Sequence, residues 1–264
     1  MPITTATALY CLAWGLLLRT AYRGQNQPPA LFKVLLACAL VAHGYGVYRQ
    51  IVMPEGYHFV FFKVSSLFCW VANFLILLSS LRKPLHNLFL ITLPVSVLAL
   101  LSSLFIKSDT APLNLQLTLG VASHILLSIL AYSTMIVATV QALALAFQNH
   151  QLRHRHPTGL VRLLPPLQTM ESLLFELLWA GQILLTLVII TGVFHIENVA
   201  AQHLHHKIAF TIIAWVIYAI LLWGRHYLGW RGNSAIRWSL AGFASLILAY
   251  QGTKLVFEMI LGPQ

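Results

Sequence analysis

The chain consists of long apolar runs separated by short polar breaks, and this pattern sets the architecture before any single residue is considered. An apolar run of about 20 residues is long enough, as an α-helix, to cross a hydrocarbon core of about 30 Å. Eight such runs stand out, at 3–20, 30–48, 59–81, 87–106, 115–148, 171–195, 207–228 and 236–258. The breaks carry ordinary helix stops and starts: Gly24 to Pro29 (GQNQPP), Met53 to Gly56 (MPEG), Arg82 to Pro84, Ser108 to Pro112 and the pair Pro165 and Pro166. The expected fold is all-α, a polytopic membrane protein of eight transmembrane helices forming one integral-membrane domain over 1–264. The fifth run exceeds what a bilayer needs, so its last two turns, leading into FQNHQLRHRHP, are expected to project into water.

Composition supports the same reading. Hydrophobic residues make up 59% of the chain and charged residues 8%, against about 25% charged in soluble domains. The first run is preceded by no Lys or Arg, and its bases, Arg19 and Arg23, follow it, so it is expected to persist as a span rather than to be cleaved as a signal. Cys11, Cys38 and Cys69 lie inside apolar runs without CxxC spacing and are expected to pack as small buried apolar groups.

The net charge of +10 resides mainly in the loops. No aromatic platform is interleaved with the bases, which argues against nucleic acid as a partner. Loops on one side carry Arg19, Arg23, Arg82, Lys83, Arg153, Arg155, Arg162, Arg225, Arg231 and Arg237; those on the other carry Arg49, Lys107 and Lys207, diluted by Glu55, Asp109 and Glu197. Ten bases against three place the first set in the cytoplasm and both termini outside, which in a bacterium is the periplasmic side of the inner membrane. Neither GxxxxGK[ST] nor GxGxxG is present, so an ATP-driven pump would need a motor from a partner.

With sidedness assigned, the twelve histidines sort by depth. His86, His150, His154, His156 and His226 fall at or beyond cytoplasmic ends, where a solvated imidazole needs no further explanation. His43 lies fourteen residues after Pro29, or roughly 21 Å along an outward-running helix, and His124 about nine residues into an inward-running one, so both fall in the outer half. His58, His195, His203, His205 and His206 lie at the same face. A neutral imidazole offers the lone pair a metal needs, and intramembrane ionisable residues are functional candidates. A single hydrogen bond to a neighbouring helix is the competing account. Gly120, His124, Ser128 and Tyr132 form a small and polar stripe at four-residue spacing, which suits a flat ligand and a packing helix equally. The run HLHHK at 203–207 lacks a carboxylate or thiolate at ligand spacing and reads as a wet interfacial segment rather than a metal site.

Two stretches carry a family resemblance: LGVASHILLSILAYSTMIVATVQALALAF at 119–147 and KIAFTIIAWVIYAILLWGRHYLGWRG at 207–232. The chain resembles the cytochrome c assembly family of haem-handling membrane proteins, and within it a short eight-span branch. ALVAHGYGVYRQI at 39–51 and LLTLVIITGVF at 184–194 also fit, and LLWG…GWRG at 221–232 is the most specific element. The resemblance implies haem as cofactor, with His43 and His124 as iron ligands. Arg49, Lys63 and Lys207 are then partners for the propionates, and Lys207, Trp215 and Tyr218 match the helix that follows the family's external tryptophan motif. His58, His195 and His206 are weaker ligand candidates by topology alone.

The departures are as specific. Where the family carries a WGxxWxWD motif, this chain reads FHIENVAAQHLHH. A family histidine position is Trp223, with His226 three residues on, and the late external histidine has no counterpart between Glu258 and Gln264. Each implied haem pair keeps one member.

The leading expectation is a haem-binding membrane protein, accessory to cytochrome c assembly or haem handling, acting with other membrane or assembly proteins. The alternatives are a small-molecule or ion transporter on the same fold, with Glu176, Lys254 and Glu258 as intramembrane ionisable groups, and a regulatory membrane partner that uses the basic loop 150–164. With six carboxylates in the chain and no nucleophile–base pair with an orienting acid, no catalytic residues are expected; nor is any metal other than haem iron.

Overall fold

The computed structural model describes residues 2–24, 28–83, 85–106, 118–153, 164–195 and 205–252. Among these the chain is helical nearly throughout. In order come α1 (Pro2–Tyr22), α2 (Ala30–Ile51), a short antiparallel hairpin of β1 (Val52–Met53) and β2 (Gly56–Tyr57), α3 (Phe61–Ser80) and α4 (Phe89–Phe105). These are followed by α5 (Leu119–Arg153), α6 (Leu167–His195), α7 (His205–Tyr227) and α8 (Asn233–Ile247), the last widening into a π-helical turn, Leu248–Gly252.

Among the described residues, six helical segments are long and apolar enough to cross a membrane: Ala30–Ile51, Phe61–Ser80, His86–Phe105, Leu119–Arg153, Leu167–Phe194 and His205–Tyr227. The expected first and eighth spans are not among them. α1 is long enough, but Thr4, Thr5, Thr7, Arg19 and Thr20 dilute its apolar character. The α-helical part of α8 has 15 residues, roughly 22 Å of rise. At 35 residues, α5 does overrun a bilayer.

The described residues fall into two compact units, one of 1–115 and 150–166, the other of 116–149 and 167–264. In the first, α1 packs on α2 and α4, and α3 packs on the same two helices, closing a ring of four. Its interior is filled by Tyr10, Phe32, Leu36, Ile76, Phe89, Leu93 and Leu100. Outward positions are equally apolar, among them Val41, Phe74, Leu78 and Leu98, as a surface facing lipid chains requires. Cys11 and Cys38 also face outward and Cys69 is half-buried, so the thiols are not all core groups as expected.

Two local devices hold this ring. Pro94 inside α4 has no N–H, which frees the carbonyl of Leu90 one turn earlier. The Trp14 indole from α1 donates to that carbonyl at 3.0 Å. Gly44 of α2 admits the Trp70 ring, which would lie 2.8 Å from a Cβ there, and the Trp70 indole donates to Leu40 O at 2.8 Å.

In the second unit α5 and α6 run antiparallel, matched at three levels by His124 with Thr191, Met135 with Gly181, and Gln141 with Met170. α7 packs on α6 and α8, and Tyr132 of α5 meets Phe243 of α8. Gly242 lets Tyr218 lie flat on α8, where its hydroxyl donates to Ser239 O at 3.4 Å.

Candidate functional site

Geometry separates the two leading histidines. His43 belongs to the first unit and is 0% exposed. Its Nδ1 lies 3.0 Å from the Tyr10 hydroxyl and its Nε2 2.9 Å from Ser66 Oγ, so the imidazole ties α1, α2 and α3 together. With both nitrogens occupied by hydroxyls, His43 in this arrangement has no lone pair for iron; Tyr10 or Ser66 would have to turn away first.

His124 belongs to the second unit and is partly buried. Its Nδ1 lies 3.0 Å from Thr191 Oγ1. The Thr191 hydroxyl also lies 2.8 Å from Leu187 O one turn back, and when it donates there it accepts Nδ1–H from His124. In that arrangement the lone pair is on Nε2, the way a metal-binding imidazole is oriented by its neighbour. Ser128 donates to His124 O at 2.7 Å, keeping its hydroxyl against its own helix.

Burial along α5 changes at this level. Positions 121–125 and 127–130 are partly exposed, whereas 131–135 are buried. Two turns along α5 from His124 the surroundings are aromatic: the Tyr132 and Tyr250 ring centroids are 6.0 Å apart, and Lys207 Nζ lies 6.0 Å from the centroid of Tyr250. Trp215 is pinned by its indole N–H to Thr186 Oγ1 at 2.9 Å, and Gln182 donates to Trp215 O at 3.3 Å. The Gln182 Oε1 atom is buried with no donor among the described residues.

The weaker candidates scatter. His58, in the first unit, accepts from Lys63 Nζ at 2.6 Å. Arg49 is exposed near the end of α2, and His206 is exposed in the first turn of α7, beside Lys207. His195 is the last residue of α6, one turn beyond Thr191. Its side chain, and His203 with the rest of 196–204, lie outside the described residues, as do Lys254, Glu258 and most of the basic loop 150–164. The described residues contain no cluster of three or more His, Cys, Asp or Glu that could hold a metal ion.

Sequence reasoning overlooked Glu171. It is buried near the start of α6, where Oε2 accepts from Arg231 Nε at 3.0 Å and Oε1 from the Gly232 amide at 2.6 Å. Around it, Arg225 stacks on Phe175 at 4.6 Å and donates to Trp230 O at 3.3 Å. Trp230 covers Gly224 and stacks on Trp238 with centroids 5.3 Å apart. The GWRG tetrapeptide thus owes its specificity to a clasp between α6, α7 and α8, with Gly229 and Gly232 at positive φ.

The sequence model of the family described as Cytochrome C assembly protein matches residues 3–261. The chain belongs to the cytochrome c assembly family. This member is 36% identical over 147 residues to the inner membrane protein YpjD of Escherichia coli K12, covering 56% of each chain. It is 33% identical over 141 residues to an uncharacterized 28.8 kDa protein of Azospirillum brasilense, covering 53% of this chain and 52% of that one. It thus spans about half the length of the curated relatives it matches. No solved structure matches this family member. Family and helices together make it a multi-pass membrane protein.

Proposed function

We propose that the chain is a haem-binding protein of the bacterial inner membrane, non-catalytic in itself and accessory to cytochrome c assembly or haem handling. The carrying observation is the 3.0 Å hydrogen bond between His124 Nδ1 and Thr191 Oγ1: with Nδ1 as donor, Nε2 carries the lone pair that an iron ligand needs. Gly120 and Ser128 flank it at four-residue spacing on a partly exposed stretch of α5 that a planar macrocycle suits, and the Tyr132 and Tyr250 rings lie two turns along. Lys207 supplies a cation for a propionate. Haem, when bound, supplies an iron centre able to exchange an electron or be passed on; the chain holds, orients and shields it. His43 does not fit this role, and His195 and His206, which belong to the same unit as His124, are secondary candidates for the second axial position.

In this reading α1 and α8 also cross the membrane, both termini lie outside, and the basic loops face the cytoplasm, as the charge asymmetry of ten bases against three supports. Partners are haem, the bilayer and other membrane or assembly proteins. The name of the Escherichia coli relative, an inner membrane protein, agrees with the location.

The test is the optical spectrum of detergent-purified protein, oxidised and reduced, from haem-replete cells. A Soret band in the wild type that is lost in His124→Ala and shifted in Thr191→Val is expected. A haem-free wild type refutes the proposal.

A further inference from the structure

A polar node at one end of the first unit gathers Lys63 and His58, which the sequence offers only as a propionate partner and a weaker ligand candidate. Lys63 is the third residue of α3, where an apolar spanning helix begins. Its ammonium bends back over the end of α2, donating to Gln50 O at 3.1 Å and to His58 Nδ1 at 2.6 Å. The hairpin is held to the same end by the His58 amide, which donates to Ile51 O at 2.8 Å. Both acceptors of Lys63 are neutral. Of the six acids in the chain, Glu55, Glu171 and Glu176 are among the described residues, and none of these pairs with Lys63.

Gln50 is short of a partner in the complementary sense. Its Nε2 reaches across to α4, to Ser103 O at 3.3 Å and Ser103 Oγ at 3.4 Å. That turn leaves Oε1 buried with no donor among the described residues. Among the described residues, therefore, a cation without an acid and an acceptor without a donor sit on two residues already bonded to each other. An ammonium has three N–H groups, and two are used here. The adjacent Arg49 is exposed and adds positive charge at the same helix end.

We propose that this node binds a phospholipid headgroup that carries a hydrogen-bond donor. The phosphate oxygen accepts the third N–H of Lys63, and the headgroup ammonium or hydroxyl donates to Gln50 Oε1. The start of a spanning helix is where lipid phosphates lie. Phosphatidylethanolamine and phosphatidylglycerol both carry the required pair; phosphatidylcholine has the phosphate but no N–H or O–H to give. An ionised propionate likewise brings the acid without the donor.

The full-length protein is reconstituted in nanodiscs of phosphatidylcholine containing phosphatidylethanolamine or phosphatidylglycerol, and retained lipids are counted by native mass spectrometry. The wild type is expected to retain either donor-bearing lipid about ten-fold over phosphatidylcholine, the ratio a single good hydrogen bond supplies. Gln50→Met loses that ratio, Lys63→Met loses retention of all three, and Lys63→Arg keeps it. Equal retention of the three lipids by the wild type overturns the proposal without recourse to any variant, as does an unchanged ratio in folded Gln50→Met. Full competition by excess glycerol phosphate or inorganic phosphate would mark a site for soluble anions and overturn the lipid assignment. Haem content does not enter the readout, so the two proposals fail separately.

Discussion

Removing the Glu171 carboxylate should open the end of the second unit that carries the GWRG tetrapeptide. The carboxylate is 6% exposed and makes two bonds of unequal worth. The 2.6 Å bond from the Gly232 amide is charge-assisted and buried, worth about 1.5–3 kcal/mol. The Arg231 side chain is 55% exposed, which brings that ion pair into the range of about 0–1 kcal/mol. Gly232 also precedes α8, whose N-terminus has no side-chain cap of its own, so a carboxylate there gains about 0.3–1 kcal/mol from the helix dipole. Glu171→Ala is therefore expected to cost about 2–5 kcal/mol. Glu171→Gln keeps a neutral acceptor for Gly232 and should cost about half as much. Thermal unfolding in detergent gives the ranking, and hydrogen exchange at 232–236 locates the loss, with protection falling there and not near His124. If Glu171→Ala matches the wild type in both measurements, the clasp contributes nothing and the physical reading of the motif is wrong.

His43→Ala leaves the hydroxyls of Tyr10 and Ser66 buried and unpaired, at about 1–3 kcal/mol each. Its unfolding midpoint should drop clearly while the Soret band per folded molecule stays at the wild-type value; a lost band would make His43 a ligand instead. Gly242→Ala places a methyl 2.6 Å from Tyr218 Cζ in a fully packed interior. Overpacking of this kind costs about 1–3 kcal/mol, and an unfolding midpoint equal to wild type would show that Tyr218 has room to move.

Helices were legible because apolar periodicity is a local signal. The runs at 3–20, 30–48 and 59–81 became Pro2–Tyr22, Ala30–Ile51 and Phe61–Ser80, within a few residues at each end. The hairpin inside MPEG was hidden, since two-residue strands carry no period; only Gly56, at φ 135°, marks it. His124 was visible as a polar group in an apolar run, but Thr191, its hydrogen-bond partner at Nδ1, lies 67 residues away. The Tyr10–His43–Ser66 chain was equally invisible, because hydroxyls on three helices give no shared sequence signal. Glu171 was missed for a different reason. It stood at the edge of a predicted span, where a lone acid reads as solvated, and its partners lie 60 and 61 residues on.

Pro94 and Trp14 make one more statement, about inheritance. The proline leaves Leu90 O without its helical donor, and the indole from another helix supplies one. Neither residue is useful without the other: Trp14 opposite an uninterrupted α4 would compete with a backbone amide, and Pro94 opposite a phenylalanine would leave a carbonyl bare in lipid. Across the family the two positions should therefore change together, and a lineage that has lost the proline should have been free to lose the tryptophan.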